Sequence, residues 1–397
     1  MRVTIIGAGI VGSAAARELA ACPGVQVTVL EAAPGTDSLR GSTGYAPGFV
    51  GLYNDAPVLT ELARESAAVY DSFPHAFRRA GGLEVATSES GAAELARRAD
   101  GARLAGLSVA EVGPDDVSRL APDVVDTERM VAAWAYADDA VAYTRLLIQA
   151  IRGAARARGA RFVDGALVTA IEPSGSGELL VSAAGEDRYA CDVVILCAGI
   201  WGSSFGALIG AEIPLFPVAH PYVYSPPRPD LRSGSFVRWP EHHVYARVHS
   251  DRLGLGTYDH VPLAVTQDEL RQGAELPWPA DRFDQAITTA EELLPAGSRF
   301  EPSARMNAVF AMTPDNLPLL GALEPAPGIW SAQGIWVTHA AGAAKALSAA
   351  IVGGDELAPE LNPNRFAGRD PEELRASALR LYRDIYANAA LPGPRPG

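Results

Sequence analysis

Lysine is all but missing from this sequence: Lys345 is the only one among 33 basic residues, and arginine supplies the rest. Cysteine is scarce as well. Cys22, Cys191 and Cys197 are odd in number and show no metal-ligand spacing, so neither a disulfide framework nor a metal centre is expected. Cys191 and Cys197 flank and sit in an apolar strand, which reads them as buried free thiols. No apolar run is long and unbroken enough to span a bilayer. No leader-like segment precedes the first strand, which starts almost at Met1, and the expectation is a soluble cytoplasmic protein. Positive charge is outweighed throughout. A net charge of −14 argues against nucleic acid and anionic membranes as partners, although one site can still be locally positive.

What is present is ample apolar material. The 397 residues are 48% hydrophobic, enough for a large core and more than one ordinary domain needs. Val3-Thr4-Ile5-Ile6 reads as a strand, Gly7-Ala8-Gly9-Ile10-Val11-Gly12 as a turn, Ser13 to Ala21 as a helix of small residues, and Val25 to Leu30 as a second strand closed by Glu31. This is a β-α-β unit with a Gly-x-Gly-x-x-Gly turn in its proper place. Gly7 permits the tight turn, Gly9 lets a pyrophosphate approach the backbone, and Gly12 lets helix and strand pack closely. Ile10 and Val11 open a helix whose N-terminus offers free N–H groups to phosphate. Glu31 can accept both ribose hydroxyls and repels a 2′-phosphate.

Further along, Asp55 is placed to cap a helix that runs through Leu59, Leu62 and Tyr70, and Tyr143 to Arg158 forms another. Leu215 to Tyr258 turns extended and aromatic, which predicts an antiparallel sheet inserted into the first domain. The chain returns to β-α character at Ile329–Ala332 and Ala340–Ile351. Pro371 to Ala389 is an amphipathic helix with a Leu374/Leu379/Tyr382/Ile385 stripe, and the Pro/Gly-rich tail from Leu391 to Gly397 is expected to be disordered. The fold class is therefore α/β plus α+β: a Rossmann-like dinucleotide domain (1–80, 136–212 and 300–366), an interleaved antiparallel-sheet substrate domain (81–135 and 213–299), and a C-terminal helix and tail (367–397).

Several segments in fixed order look familiar: Gly41-Ser42-Thr43-Gly44-Tyr45-Ala46-Pro47-Gly48, Gly81-Gly82-Leu83-Glu84, Cys197-Ala198-Gly199-Ile200-Trp201-Gly202, Pro217-Val218-Ala219-His220-Pro221-Tyr222, Pro318-Leu319-Leu320-Gly321 and Trp336-Val337-Thr338-His339-Ala340-Ala341-Gly342. They span almost the whole chain. In this the sequence resembles the D-amino-acid oxidase-like flavoproteins, in particular the flavin half of the dimethylglycine oxidase and sarcosine dehydrogenase branch. The resemblance implies FAD rather than NAD. It implies that Ser42, Thr43, Tyr45, Ala198, Gly199, Trp201, Gly334, Trp336, Thr338 and His339 surround the flavin, and that the strand carrying Val168 meets the adenine. Tyr45 stands where relatives carry a histidine bonded to the flavin, so the cofactor is expected to be held without a covalent bond. Relatives also continue into a folate-binding domain. The present chain stops before it, and one-carbon transfer to folate within the chain is not expected.

The implied chemistry is oxidation of the C–N bond of a small secondary or tertiary amine, an N-substituted glycine, with release of an aldehyde. A neutral amine, a C–H aimed at the flavin and exclusion of water are what that reaction needs. His220, which titrates near neutrality, is the candidate for proton management. Tyr245 matches an active-site tyrosine of the family, and Lys345, just beyond Gly342, is the candidate clamp for a substrate carboxylate. His339 is expected near the flavin ring, whereas His242, His243, His249 and His260 are expected at the surface. The electron acceptor is oxygen or another oxidant. Alternatives are a specialised oxidase for an N–N bonded glycine, a NAD-linked dehydrogenase, or a flavin-holding sensor without turnover.

Overall fold

The computed structural model describes residues 1–35, 38–175, 177–185 and 187–385. Its organising element is the buried strand Arg2–Ile6, which pairs in parallel with Gln26–Glu31 on one side and Val193–Leu196 on the other. Arg161–Asp164 and Ile329–Gln333 extend this sheet in parallel, and Leu319–Ala322 closes one edge antiparallel, giving six strands. Side chains alternate between the two faces as strand geometry requires. Val3, Ile5 and Val29 join the core formed with the helices, whereas Ile6, Leu30, Val194 and Leu196 face the small antiparallel sheet Val168–Pro173, Leu179–Ala183, Arg188–Cys191.

Small residues set the spacing on the helical face. Helix Ile10–Leu19 packs against Thr144–Ala157 and Ala340–Gly353, and the last also packs against Pro57–Tyr70. Ala14, Ala15, Ala16, Ala340, Ala341, Ala343 and Ala344 are all buried there. Asp55 does not cap helix Pro57–Tyr70. Its carboxylate is taken by Arg97 at 2.8 Å and by the Tyr53 hydroxyl, while Asn54 accepts the Ala56 N–H at 2.9 Å instead.

The second layer is a large sheet in the order Glu275–Leu276, Ala304–Met312, Phe216–Tyr224, Arg252–Thr257, Val244–His249, Phe236–Trp239, Gly82–Ala86, Ala132–Tyr136, Val109–Glu111. All pairings are antiparallel except Phe236–Trp239 with Gly82–Ala86. Strand Ala304–Met312 pairs along its whole length with Phe216–Tyr224. It therefore belongs to this sheet, although the sequence reading placed 300–366 in the dinucleotide domain.

Helix Pro371–Arg383, capped by Asp370, packs on Phe216–Tyr224 and Ala304–Met312. It buries Leu374, Ala378, Leu381 and Tyr382, while Leu379 and Ile385 are only half-buried. The expected extension toward Ala389 and the tail from Leu391 to Gly397 lie outside the described residues. Among the described residues no helix is long and apolar enough to cross a membrane.

Candidate active site

The first Gly-rich turn folds as its sequence dictates. The Gly7 N–H donates to Leu30 O at 2.8 Å, and a Cβ on Gly12 would stand 2.0 Å from Gly7 O, so only glycine lets the helix start this close to the strand. Gly12 thus acts from beneath the turn and does not itself face the cleft. Glu31 braces the turn, accepting the Ala8 N–H at 2.8 Å and the Ala33 N–H at 2.9 Å. Thr43 reaches across from the short turn Ser42–Tyr45 to accept the Ile10 N–H at 3.2 Å.

A cavity of about 640 Å³ runs from this turn to the large sheet. Gly7, Gly9, Ile10 and Val11 line it, as do Glu31 and Val168. Ser42, Thr43 and Tyr45 line it, as do Ala198, Gly199, Trp201, Gly334, Trp336 and His220. These residues come from stretches far apart in the chain, brought together where the parallel sheet meets the large antiparallel one. Ser42 ties the turn to the large sheet by donating to Val309 O at 2.7 Å, and the Trp201 indole donates to Leu270 O at 3.2 Å.

Arg152 and Gln333 also line the cavity, and the sequence reading did not single out either as a site residue. Arg152, only 3% exposed, interrupts the apolar stripe Leu147, Ile148, Ile151 and Ala155 of helix Thr144–Ala157. Its guanidinium donates to Ala8 O behind the glycine turn, which brings positive charge to the place where the sequence expects a pyrophosphate. That break in the stripe was the available signal. Gln333 is 1% exposed, lines the cavity, and has neither amide atom hydrogen-bonded to protein. A buried amide without partners is costly unless a ligand supplies them. Backbone donors at a helix start, a ribose-competent carboxylate, a nearby guanidinium and this orphan amide together fit an elongated dinucleotide such as FAD.

At the far end the walls are aromatic and apolar: Phe310 packs edge-on against His220, Trp336 lies beside Phe310, and Met306 lines the same cavity. His220 is 2% exposed and bonded at both ring nitrogens, Nε2 to the Tyr245 hydroxyl at 2.5 Å and Nδ1 to the Tyr382 hydroxyl at 2.6 Å. Burial, reinforced by His260, pulls its pKa well below the usual imidazole value, so it is neutral at rest. Tyr245 does not line the cavity; it stands behind His220, 4% exposed. Its ring crosses strand Arg252–Thr257 at Gly256, where a Cβ would fall 2.4 Å from Tyr245 Cζ and 2.7 Å from Tyr222 Cδ2. The alternating Gly254-Leu255-Gly256 was the sequence signal for large side chains crossing there.

Three expectations change. Lys345 lies outside the cavity: its ammonium pairs with Glu65 at 2.6 Å and its side chain is 56% exposed, so it is no clamp for a ligand in this cleft. His260 is not a surface residue but 7% exposed, bonded through Nε2 to Tyr382 at 2.9 Å and through Nδ1 to Val261 O at 2.9 Å. His242, His243 and His249 are half-buried rather than exposed, with His249 Nε2 bonded to the Tyr222 hydroxyl at 2.8 Å. Thr338 and His339 sit behind the lining. Thr338 donates to Phe49 O at 3.2 Å, and burial pulls the His339 pKa down to about 4, leaving it neutral beside Trp336.

A dinucleotide cleft on a parallel sheet, closed at one end by a neutral imidazole on an antiparallel sheet, is the architecture of a flavin oxidoreductase. The family model for FAD dependent oxidoreductase (DAO) matches residues 2–350, and the chain belongs to this family, whose cofactor is FAD and whose members act on amines or amino acids. Among curated proteins it is similar to the mitochondrial dimethylglycine dehydrogenase of Rattus norvegicus, 24% identical over 392 residues, covering 91% of this chain and 44% of that protein. It is also similar to the mitochondrial sarcosine dehydrogenase of Mus musculus, 25% identical over 248 residues, covering 61% of this chain and 27% of that one. The chain thus spans less than half the length of these relatives. In structure it is similar to L-proline dehydrogenase from P. horikoshii, with a TM-score of 0.81 at 19% identity, covering 92% of this chain and 97% of the other.

Proposed function

We propose that this protein oxidises the C–N bond of a small secondary or tertiary amine, an N-substituted glycine, and releases an aldehyde once the iminium product is hydrolysed. The observation that carries the reading is the His220 end of the cavity: a neutral, doubly bonded imidazole among Met306, Phe310 and Trp336. An ammonium entering such walls is poorly solvated and gives up its proton more readily than in water. The amine lone pair is then free to stabilise positive charge on the adjacent carbon.

Bound FAD would supply the two-electron acceptor. The chain's own residues do the rest. Thr43 and the glycine turn fix the dinucleotide at one end, Gln333 offers its amide to it, and the aromatic walls exclude water and orient the substrate. His220 lines this end of the cavity and manages the proton that leaves the amine, while the hydroxyls of Tyr245 and Tyr382, bonded to its two nitrogens, hold the ring in place. The similarity to dimethylglycine and sarcosine dehydrogenases supports N-alkylated glycines as the substrate class. The electron acceptor is oxygen or another oxidant.

The test is anaerobic mixing of the yellow protein with dimethylglycine, sarcosine and other N-substituted glycines, followed by admission of air. Loss of flavin absorbance with at least one of them, and recovery of formaldehyde or glyoxylate, is expected. Bleaching by primary amino acids alone would set this substrate class aside.

A further inference from the structure

Four side chains form one hydrogen-bonded row: Tyr245, His220, Tyr382 and His260, ending on the backbone carbonyl of Val261. The carbonyl determines every proton position in that row. Val261 O can only accept, so His260 Nδ1 carries a hydrogen. Burial disfavours the charged form of His260, so its Nε2 is bare and accepts from the Tyr382 O–H. Tyr382 has no second hydrogen, so its oxygen accepts from His220 Nδ1–H. His220 Nε2 is then bare and accepts from the Tyr245 O–H. Both ring nitrogens of His220 thus meet phenols rather than a carboxylate.

His220 lines the cavity, Tyr382 is fully buried on helix Pro371–Arg383, and His260 is 7% exposed. Asp259, Arg282 and Arg383 are the charged groups that act on His260, while Tyr245, Tyr258 and Tyr382 surround His220.

We propose that Tyr382 and His260 are positioning residues that hold His220 in the tautomer protonated at Nδ1, with Nε2 left to accept from Tyr245. The Val261 carbonyl fixes His260, His260 fixes Tyr382, and Tyr382 fixes His220. This rests on the proposed amine oxidation for its kinetic consequence but not for the tautomers themselves.

Nitrogen NMR of the holoenzyme labelled at histidine, without substrate, is expected to show neutral Nδ1–H tautomers at both His220 and His260. Tyr382→Phe keeps the ring packing and breaks both links; it is expected to lose the single His220 tautomer and to slow flavin reduction by about tenfold or more, with a shifted pH profile. His260→Gln is the conservative control, because its amide can donate to Val261 O and accept from Tyr382 as the imidazole does; it is expected to keep the His220 tautomer and the parent reduction rate. His260→Leu can do neither, is expected to lose the single tautomer, and serves if Tyr382→Phe fails to fold. An Nε2–H tautomer at His220 in the parent would overturn the positioning, and so would a single Nδ1–H tautomer that persists in both Tyr382→Phe and His260→Leu. If no amine reduces the flavin, the proposed function fails while the tautomer measurement still stands.

Discussion

Each residue in the cleft does one physical job, and substitution can isolate it. His220→Ala removes the group proposed to manage the proton but leaves the distributed contacts to the dinucleotide, so flavin content should survive. Anaerobic reduction by substrate is expected to slow by about 10²-fold or more, the scale of a positioned acid–base group; an unchanged rate would make His220 structural. Lys345→Met should leave KM and kcat unaltered, since the ammonium it removes is paired with Glu65 on the outer face of helix Ala340–Gly353 and is half exposed. A KM that rises for an amino acid but not for its carboxamide would restore the clamp. At Tyr45, burial and then the nearby Glu275 carboxylate raise the phenol's pKa above its usual value. Phenolate, the nucleophile an aryl-ether link would need, is therefore scarcer still. Acid precipitation should give a colourless pellet with free FAD above it, and a yellow tryptic peptide containing Tyr45 would refute this.

Elements meet in this protein where side chains have been left out. Ala340–Gly353 approaches Pro57–Tyr70 so closely that a Cβ on Gly342 would lie 2.2 Å from Leu62 O. The same device serves the site on strand Arg252–Thr257, where Gly256 lets the rings of Tyr222 and Tyr245 lie across the backbone. Gly256→Ala is expected to push Tyr245 off His220 Nε2. It should reduce stability by about 1–3 kcal/mol, the usual effect of overpacking, and should slow flavin reduction. Normal kinetics with a normal thermal midpoint would mean that Tyr245 is not held by this contact. Helix Pro371–Arg383 also belongs to the site, because it brings Tyr382 to His220 from outside both sheets.

Across the whole molecule, the large sheet is pinned by charge buried in its middle. Glu84 on Gly82–Ala86 is fully buried, 2.9 Å from Arg98 and 3.2 Å from Arg238, and accepts from the Tyr136 hydroxyl at 3.1 Å. Arg238 also lies 3.3 Å from Asp139, which accepts the Leu52 N–H at 2.8 Å and so reaches toward the strands around the cleft. Desolvation alone would raise the Glu84 pKa, but the two guanidiniums outweigh it and hold the carboxyl at about 2. Because the folded value lies below the unfolded one, this contribution is complete above the ordinary value of 4.5 and is lost as pH falls from there toward 2. Asp139 has the opposite sign. Desolvation raises it to about 6, so its contribution is present at low pH and fades as pH rises through that value. Glu84→Gln leaves two arginines buried without their counter-charge and should cost about 3–5 kcal/mol at neutral pH. Thermal melts against pH test this: the acid-side loss of stability should flatten in the variant, and an unchanged melt would mean the arginines find other partners.

Read alone, the sequence already determined the dinucleotide half, because its signals are local. Gly7 to Gly12 between two apolar strands, with Glu31 closing the second, leaves the backbone few other ways to fold, and the extended, aromatic run from Leu215 to Tyr258 marked the antiparallel sheet that carries His220. The FAD family was readable for the same reason, in short segments with close steric demands. What only the tertiary structure decided were the meetings across long separations. Nothing near Lys345 in sequence shows that Glu65 awaits it. Nothing near His260 shows that a tyrosine 122 residues later will bury it. Arg152 reads as an ordinary helix arginine until Ala8 O is brought to it. Whether a polar side chain reaches the cleft or the solvent depends on which distant backbone covers it, and that is a property of the packed sheets and helices rather than of any local pattern.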